Sequence, residues 1–399
     1  MYQPSRKILR KYASVLVNFA LGSGSGMKKN EVVLIATQTP GVPLAKEVYR
    51  AVVRAGGHPL MNIIDDDFRK ILLTEGSDPQ IGFFPEKYYQ GLAGTIDHSI
   101  RILADADPLF LSAVDPRKII LNAKSTKPYR EQLDKKEDAG NFTWTLCLYG
   151  TDGVAKEAGM SLKEYWAQIE RACFLDKKDP VAAWRSVSRE MQRIIGALNR
   201  MPVKTLHVQA DGTDLSVGIG EKRRWLGGRG RNIPSFEIFT SPDWRTVEGH
   251  ICFDLPLYRY GQIIHEVRLE IKGGRIVRAG AAKNEKLLLE MVAQNNADKI
   301  GEFSLTDRRF SRITRFMAET LFDENFGGSH GNVHLALGRA YHDACSVGPE
   351  KMVKKDFQML GFNDSSEHTD IVATTDRIVT AMLKDGSTKV IYKGGVFTV

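Results

Sequence analysis

Helical and strand-like segments alternate between Ser5 and Ile64, and after Pro202 the alternation gives way to paired strands. That change limits the fold more than any other feature of the chain. Leu9, Ala13, Leu16 and Ala20 lie on one face of a helix over Ser5–Leu21. The run Glu31–Thr37 (EVVLIAT) is β-branched and continuously apolar, as a buried strand requires. Pro43–Ala55 has helical spacing and ends at Gly56-Gly57, and His58–Ile64 is the next strand. A strand, a helix and a strand in that order predict a parallel sheet with helical crossovers. Ser99–Ala104 and Asn141–Leu148 are further strands, and Leu162–Cys173 and Val181–Leu198 are amphipathic helices. The second of these helices runs into the stop signal Asn199–Pro202.

Beyond it, Leu206–Ala210 and Thr213–Gly218 flank Asp211-Gly212, a hairpin turn. Strands are predicted at Glu237–Thr240, His250–Asp254, Ile263–Lys272, Arg275–Gly280, Asp370–Thr374 and Lys389–Lys393, with helices at Glu285–Asn296 and Arg309–Leu321. The expectation is an α/β domain with a parallel sheet over residues 1–200 and a β-rich α+β domain over residues 201–399.

Composition excludes several classes. With 42% hydrophobic residues in 399, a core forms without cross-links. The four cysteines contain no CxxC pair, which removes zinc ribbons and thioredoxin motifs and predicts reduced thiols of a cytoplasmic protein. No apolar run is long enough to span a membrane. Arg6 to Leu21 mimics a signal peptide, but Asn18 interrupts its short apolar stretch, so a retained helix is expected. The net charge of +8 favours anionic partners in general. The basic run Lys222-Arg223-Arg224-Trp225 with Arg229 and Arg231 reads as a solvated loop, and no nucleic-acid partner is expected. GSGSG at 22–26 lies between a helix and a strand, the reverse of a dinucleotide fingerprint, and reads as a flexible loop.

Six of the nine histidines fall at or after His250. His330 and His334 have zinc-helix spacing, but Gly331-Asn332 breaks a helix and the glutamate of HExxH is missing. His368 and Asp370, two apart on a strand, share one face and present an imidazole beside a carboxylate. Glu237 is set among Phe236, Ile238 and Phe239, where a charge needs a partner or a metal. Glu302 has the same character, and Gly301 before it permits close backbone approach. Together Glu237, Glu302, His334, His368 and Asp370 form the ligand inventory of a dinuclear hydrolytic site.

At these residues the chain resembles the thermophilic aminopeptidase family, the aminopeptidase T and aminopeptidase S type of dinuclear metallopeptidases. The resemblance rests on Asn232-Ile233-Pro234 followed by Glu237–Pro242, on Ile300-Gly301-Glu302, on Leu321–Asn325, on His334–Gly338 followed by Tyr341, and on His368-Thr369-Asp370. These segments occur in family order. The resemblance implies an N-terminal α/β domain, a C-terminal metal-binding domain and a homodimer. It implies removal of N-terminal residues from peptides with a free N-terminus. Carried over by motif, the ligands are Glu237, Glu302, His334, His368 and Asp370, with Glu324 as a further one, and Tyr341 is the catalytic tyrosine. Two divalent ions are implied, and the ligand types admit zinc, cobalt, manganese or magnesium. Glu302 is the expected bridge, and either Glu302 or Glu237 is the general base. Phe236 stands where the family has glycine, so a ring is expected to narrow the pocket or shift Glu237. Nine residues separate Glu324 from His334, a longer spacing than in several members. The alternatives are a degenerate member that binds metal or peptide without turnover, and a basic nucleic-acid-binding protein.

Overall fold

The computed structural model describes residues 2–260, 262–348 and 351–399, and the chain divides into two units. The first comprises Met1–Ser186 and Arg229–Pro234. Its sheet is parallel, with β2 (His58–Ile64), β1 (Val32–Gln38), β3 (His98–Leu103) and β4 (Thr143–Leu148) in that order, followed by the short strand Asn232–Ile233. Val33, Ile35, Ile100 and Ile102 are fully buried on the central strands, whereas edge strand β2 is largely exposed. Helix α1 (Arg6–Val15) packs against α2 (Val42–Arg54) and buries Leu9, Tyr12 and Ala13, the stripe that its sequence spacing predicts. It continues as a π-helical turn over Leu16–Ala20, and 22–26 form a turn in which Gly26 N–H reaches the Leu21 carbonyl. Helix α3 (Leu162–Ala172) starts at a reciprocal cap, with Ser161 bonded to the Glu164 N–H and Glu164 to the Ser161 N–H.

The units divide at Ser186/Val187, inside helix α4 (Pro180–Arg200). Arg229–Pro234 also returns to the first unit, because Asn232 and Ile233 pair with Leu146 and Cys147 of β4.

The second unit holds two larger antiparallel sheets. Eight strands, in the order Arg275–Gly280, Val267–Lys272, Glu248–Phe253, Thr213–Gly218, Val203–Ala210, Ile378–Leu383, Thr388–Lys393 and Val396–Phe397, form one. The other consists of β5 (Leu226–Gly227), β6 (Glu237–Thr240), β7 (Ile300–Thr306), β8 (Asn332–Gly338) and β9 (His368–Ala373), ordered β9-β8-β7-β6-β5. One apolar cluster joins Leu206, Leu215 and Ile251 of the first sheet to Phe303, Leu335 and Ile371 of the second.

Three sequence expectations need correction here. Arg309–Leu321 is not a helix, and only Thr320–Asp323 is helical. Side chains there take the amide groups that a helix would use. Asp323 accepts from the Met317 and Glu319 N–H groups. The strand expected over Ile263–Lys272 is broken at Glu266, which has φ of 53°. The helix from Glu285 ends at Val292.

Candidate metal centre

The register of the five-stranded sheet assembles the centre. Glu302 on β7 stands opposite Ala336 on β8, which stands opposite Asp370 on β9. One row over, Phe239, Ser304, His334 and Val372 are aligned, and beyond them lie Glu237, Thr306 and Asn332. His368 faces Gly338 on the other side. Residues opposed in a ladder, and those two apart along a strand, share a face. Glu237, Glu302, His334, His368 and Asp370 therefore project from one face, while Ile238, Leu305, Val333 and Ala373 point into the core from the other. A bulge between Ile300 and Glu302 brings the backbone against the β8 end. A Cβ on Gly301 would lie 2.2 Å from the Arg339 carbonyl oxygen, so the glycine is obligatory for this approach.

The polar atoms converge without ordinary ion-pair contacts. His334 Nε2 is 3.4 Å from Glu237 Oε2, 3.4 Å from Glu302 Oε1 and 3.9 Å from Asp370 Oδ1. His368 Nε2 is 3.8 Å from Glu302 Oε2 and 3.6 Å from Asp370 Oδ1. Two groups of possible ligands result, Glu237–Glu302–His334 and Glu302–His368–Asp370, with Glu302 common to both. Asp370 Oδ1 is buried with no hydrogen-bond partner among the described residues. Ligand atoms at ~2.1 Å from one tetrahedral ion sit ~3.4 Å apart. The separations fit the edges of coordination shells better than they fit hydrogen bonds, and the orphaned oxygen fits a ligand awaiting a cation.

Electrostatics point the same way. Burial pushes the Glu302 carboxyl up to about 7, with His334 opposing and the charges of Asp370 and Glu237 adding to the rise. Burial also raises Glu324 well above the carboxylate range, as do the nearby Glu237, Asp370 and Glu302. Burial alone would lower His334, but the facing Glu237 and Glu302 raise it well above its ordinary value. Crowded acids that hold protons in this way bind cations in their place.

The other expected residues fall out as follows. Glu324 is buried beside this cluster at the end of the Thr320–Asp323 turn, with Asn325 Nδ2 3.3 Å from its Oε1. Tyr341 follows β8, and its ring packs edge-on against His368 at 4.9 Å. Phe236 is fully buried, its N–H donating to Asn325 Oδ1, and Glu237 keeps its place beside His334. His330 lies apart and half-buried, 3.7 Å from Asp376. The basic run is internally engaged: Arg223 donates to the Ser241 and Leu360 carbonyls and Arg224 to that of Asp343.

Sequence reasoning missed the residues that aim the imidazoles. Asn332 Oδ1 lies 3.4 Å from His334 Nδ1, and the Arg339 carbonyl accepts from His368 Nδ1 at 2.8 Å. In a neutral imidazole both contacts leave Nε2 as the lone-pair atom facing the cluster. Asn332 sits two residues before His334 on the same face, which was a readable signal; the backbone carbonyl of Arg339 was not.

A family model described as thermophilic metalloprotease (M29) matches residues 5–397. Aminopeptidase T of Thermus aquaticus is 30% identical over 325 residues, covering 76% of this chain and 78% of that protein. Aminopeptidase T of Thermus thermophilus is 26% identical over 411 residues, covering 96% of this chain and 98% of that one. A solved structure of wild-type AmpT from Thermus thermophilus matches with a TM-score of 0.83 at 23% identity, over 99% of this chain and all of that one, and so shares the fold.

Proposed function

This chain belongs to the thermophilic metalloprotease (M29) family, and from that premise we propose how its buried cluster serves the reaction. The chain is a metalloaminopeptidase, a hydrolase of peptide bonds. The site is read as a seat for two divalent cations that share Glu302, one held by Glu237 and His334 and the other by His368 and Asp370, with Glu324 as a further ligand. The observation that supports this is the placement of Glu302, whose two oxygens face different imidazoles. Bound cations of this kind supply Lewis-acid polarisation of the scissile carbonyl and a water acidic enough to attack at neutral pH.

The side chains do the rest. The Nδ1 contacts of His334 and His368 aim Nε2 inward. The proton released by the attacking water passes to Glu302 or Glu237. Tyr341, bordering His368, donates its hydroxyl to the oxyanion, a role worth ~3 kcal/mol in comparable sites. The substrates are peptides with a free N-terminus. Mixed imidazole and carboxylate ligands suit zinc or cobalt, and also manganese and magnesium. Likeness to the family further supports a cytoplasmic homodimer. Engagement of Arg223 and Arg224 with main-chain carbonyls supports a protein without a nucleic-acid partner. Among the described residues no helix is long and apolar enough to cross a membrane.

The test is hydrolysis of leucine amide by purified protein after chelation and after return of zinc, cobalt, manganese or magnesium, with elemental analysis of each state. Activity lost on chelation and restored with two ions per chain is the expected result. Undiminished activity in the chelated protein overturns the reading.

A further inference from the structure

Strand β9 carries two of the proposed ligands, yet among the described residues it is the edge strand of its sheet, laddered to β8. On its entry side stands an ion pair, its carboxylate buried and its guanidinium partly exposed, that the reaction as described does not use. Glu367, the residue before β9, is 4% exposed. Its Oε1 accepts from Arg259 Nη2 at 2.6 Å and from the Thr369 hydroxyl, and its Oε2 accepts from the Tyr260 hydroxyl at 2.8 Å. Arg259 ends the strand Leu257–Arg259, which pairs with Gln262–Ile264. The same Nη2 lies 3.5 Å from the His368 carbonyl oxygen.

From Glu367 the path to the imidazole runs through one residue, Arg339. Arg339 N–H donates to the Glu367 carbonyl at 2.8 Å, and the Arg339 carbonyl accepts from His368 Nδ1 at 2.8 Å. A shift of Glu367 therefore moves the very acceptor that aims His368 Nε2. It also moves the start of the strand that carries Asp370. Stability alone does not account for the pair, since an apolar replacement of a buried ion pair is often neutral or better. Arg259 Nε, moreover, is buried with no hydrogen-bond partner among the described residues.

We propose that Arg259 is a positioning residue for the metal site, holding Glu367 so that the Arg339 carbonyl orients His368 and β9 presents Asp370. This rests on the reading of the cluster as a metal site.

The experiment titrates metal-free, full-length protein with Co²⁺ against a competing chelator and records the visible spectrum of the cobalt-loaded form. The variants are Arg259→Ala, Arg259→Lys and Glu367→Gln. Arg259→Ala and Glu367→Gln are expected to weaken Co²⁺ binding by about 10- to 100-fold, the range for partners that orient a ligating histidine, and to change the cobalt bands. The guanidinium meets Glu367 through Nη2 alone, so Arg259→Lys, which keeps the charge, is expected to bind within about threefold of the parent. Should Arg259→Ala fail to fold, Glu367→Gln and Arg259→Lys decide the matter. Parental Co²⁺ affinity with an unchanged spectrum in Glu367→Gln overturns the positioning role, whatever happens to its melting temperature. A parent that binds no Co²⁺ overturns the metal-site reading and this proposal with it.

Discussion

Ala336 and Ala373 are both fully buried in the five-stranded sheet, and they point to opposite faces. Ala336 stands between Glu302 and Asp370, whereas Ala373 stands opposite Val333 in the core. Residues opposed in an antiparallel ladder have Cβ atoms about 4.5–5.5 Å apart. Valine at 336 therefore sets two methyl groups between the carboxylates that converge beside His334. Overpacking a buried site costs about 1–3 kcal/mol in either position. For a unit of about 200 residues each kcal/mol lowers the melting temperature by about 2–4 °C, so both variants melt about 2–12 °C early. Their chemistry should differ. Moving a ligand by about 1 Å costs on the order of 100-fold in rate. We expect Ala336→Val to lose about 100-fold in leucine amide hydrolysis and to hold less metal by elemental analysis. Assayed well below its melting temperature, Ala373→Val should stay within about threefold of the parent, because only the core face is disturbed. Equal losses in the two variants, or full metal and activity in Ala336→Val, would refute the assignment of ligands to one face.

Three further outcomes are expected. Tyr341→Phe should lower kcat by about 10²–10³-fold with little change in KM and undiminished metal content, as loss of an oxyanion donor does; a parental kcat removes the tyrosine from the reaction. Chelation should lower the melting temperature, since a ligand held at 100 times its Kd contributes about 2.7 kcal/mol per site, and calorimetry of loaded and stripped protein measures the difference. In the stripped protein, burial holds the Glu302 carboxyl up at about 7. The folded state then binds that proton more tightly than the unfolded chain, whose carboxyl titrates near ~4.3, so stability falls as pH rises between the two values. His334, raised above its ordinary value, acts in the same direction as pH rises through its folded pKa. The stripped protein should therefore melt higher at pH 5 than at pH 8, and the reverse order would contradict the proposed crowding of acids.

The proposed ligands stand out in the sequence because they violate their surroundings. His334 interrupts Asn332–Gly338, a strand buried along its whole length, and Glu237 sits beside Phe236, Ile238 and Phe239. Such positions tolerate a charge or imidazole only with a partner. The pairing that places Glu302 across from Asp370 was not legible, since register comes from strands far apart in sequence and a slip of one residue reverses every face. The segment from Arg309 to Leu321 misled for another reason. Its spacing is helical, but Asp323 captures the Met317 and Glu319 amides that the helix needs. The division of the chain inside α4 was hidden too, because nothing in the periodicity of an unbroken helix marks Ser186.

The centre and the core are two sides of the same strands, and this division explains where each kind of residue is found. Phe303 and Leu305 lock β7 from the core side, and Val333, Leu335 and Leu337 lock β8, so Glu302 and His334 inherit the precision of that packing. Ligands on such strands hold their geometry within narrower limits than ligands on loops. Glu324 and Tyr341 lie off the sheet, one at the end of a four-residue helix and the other just beyond β8, beside a 3₁₀ turn. Five of the six proposed ligands thus lie on paired strands, while the tyrosine proposed to meet a developing charge, like Glu324, lies off the sheet. The reaction asks for that distribution, because a cation site depends on constancy and an oxyanion contact forms only as the carbonyl changes shape.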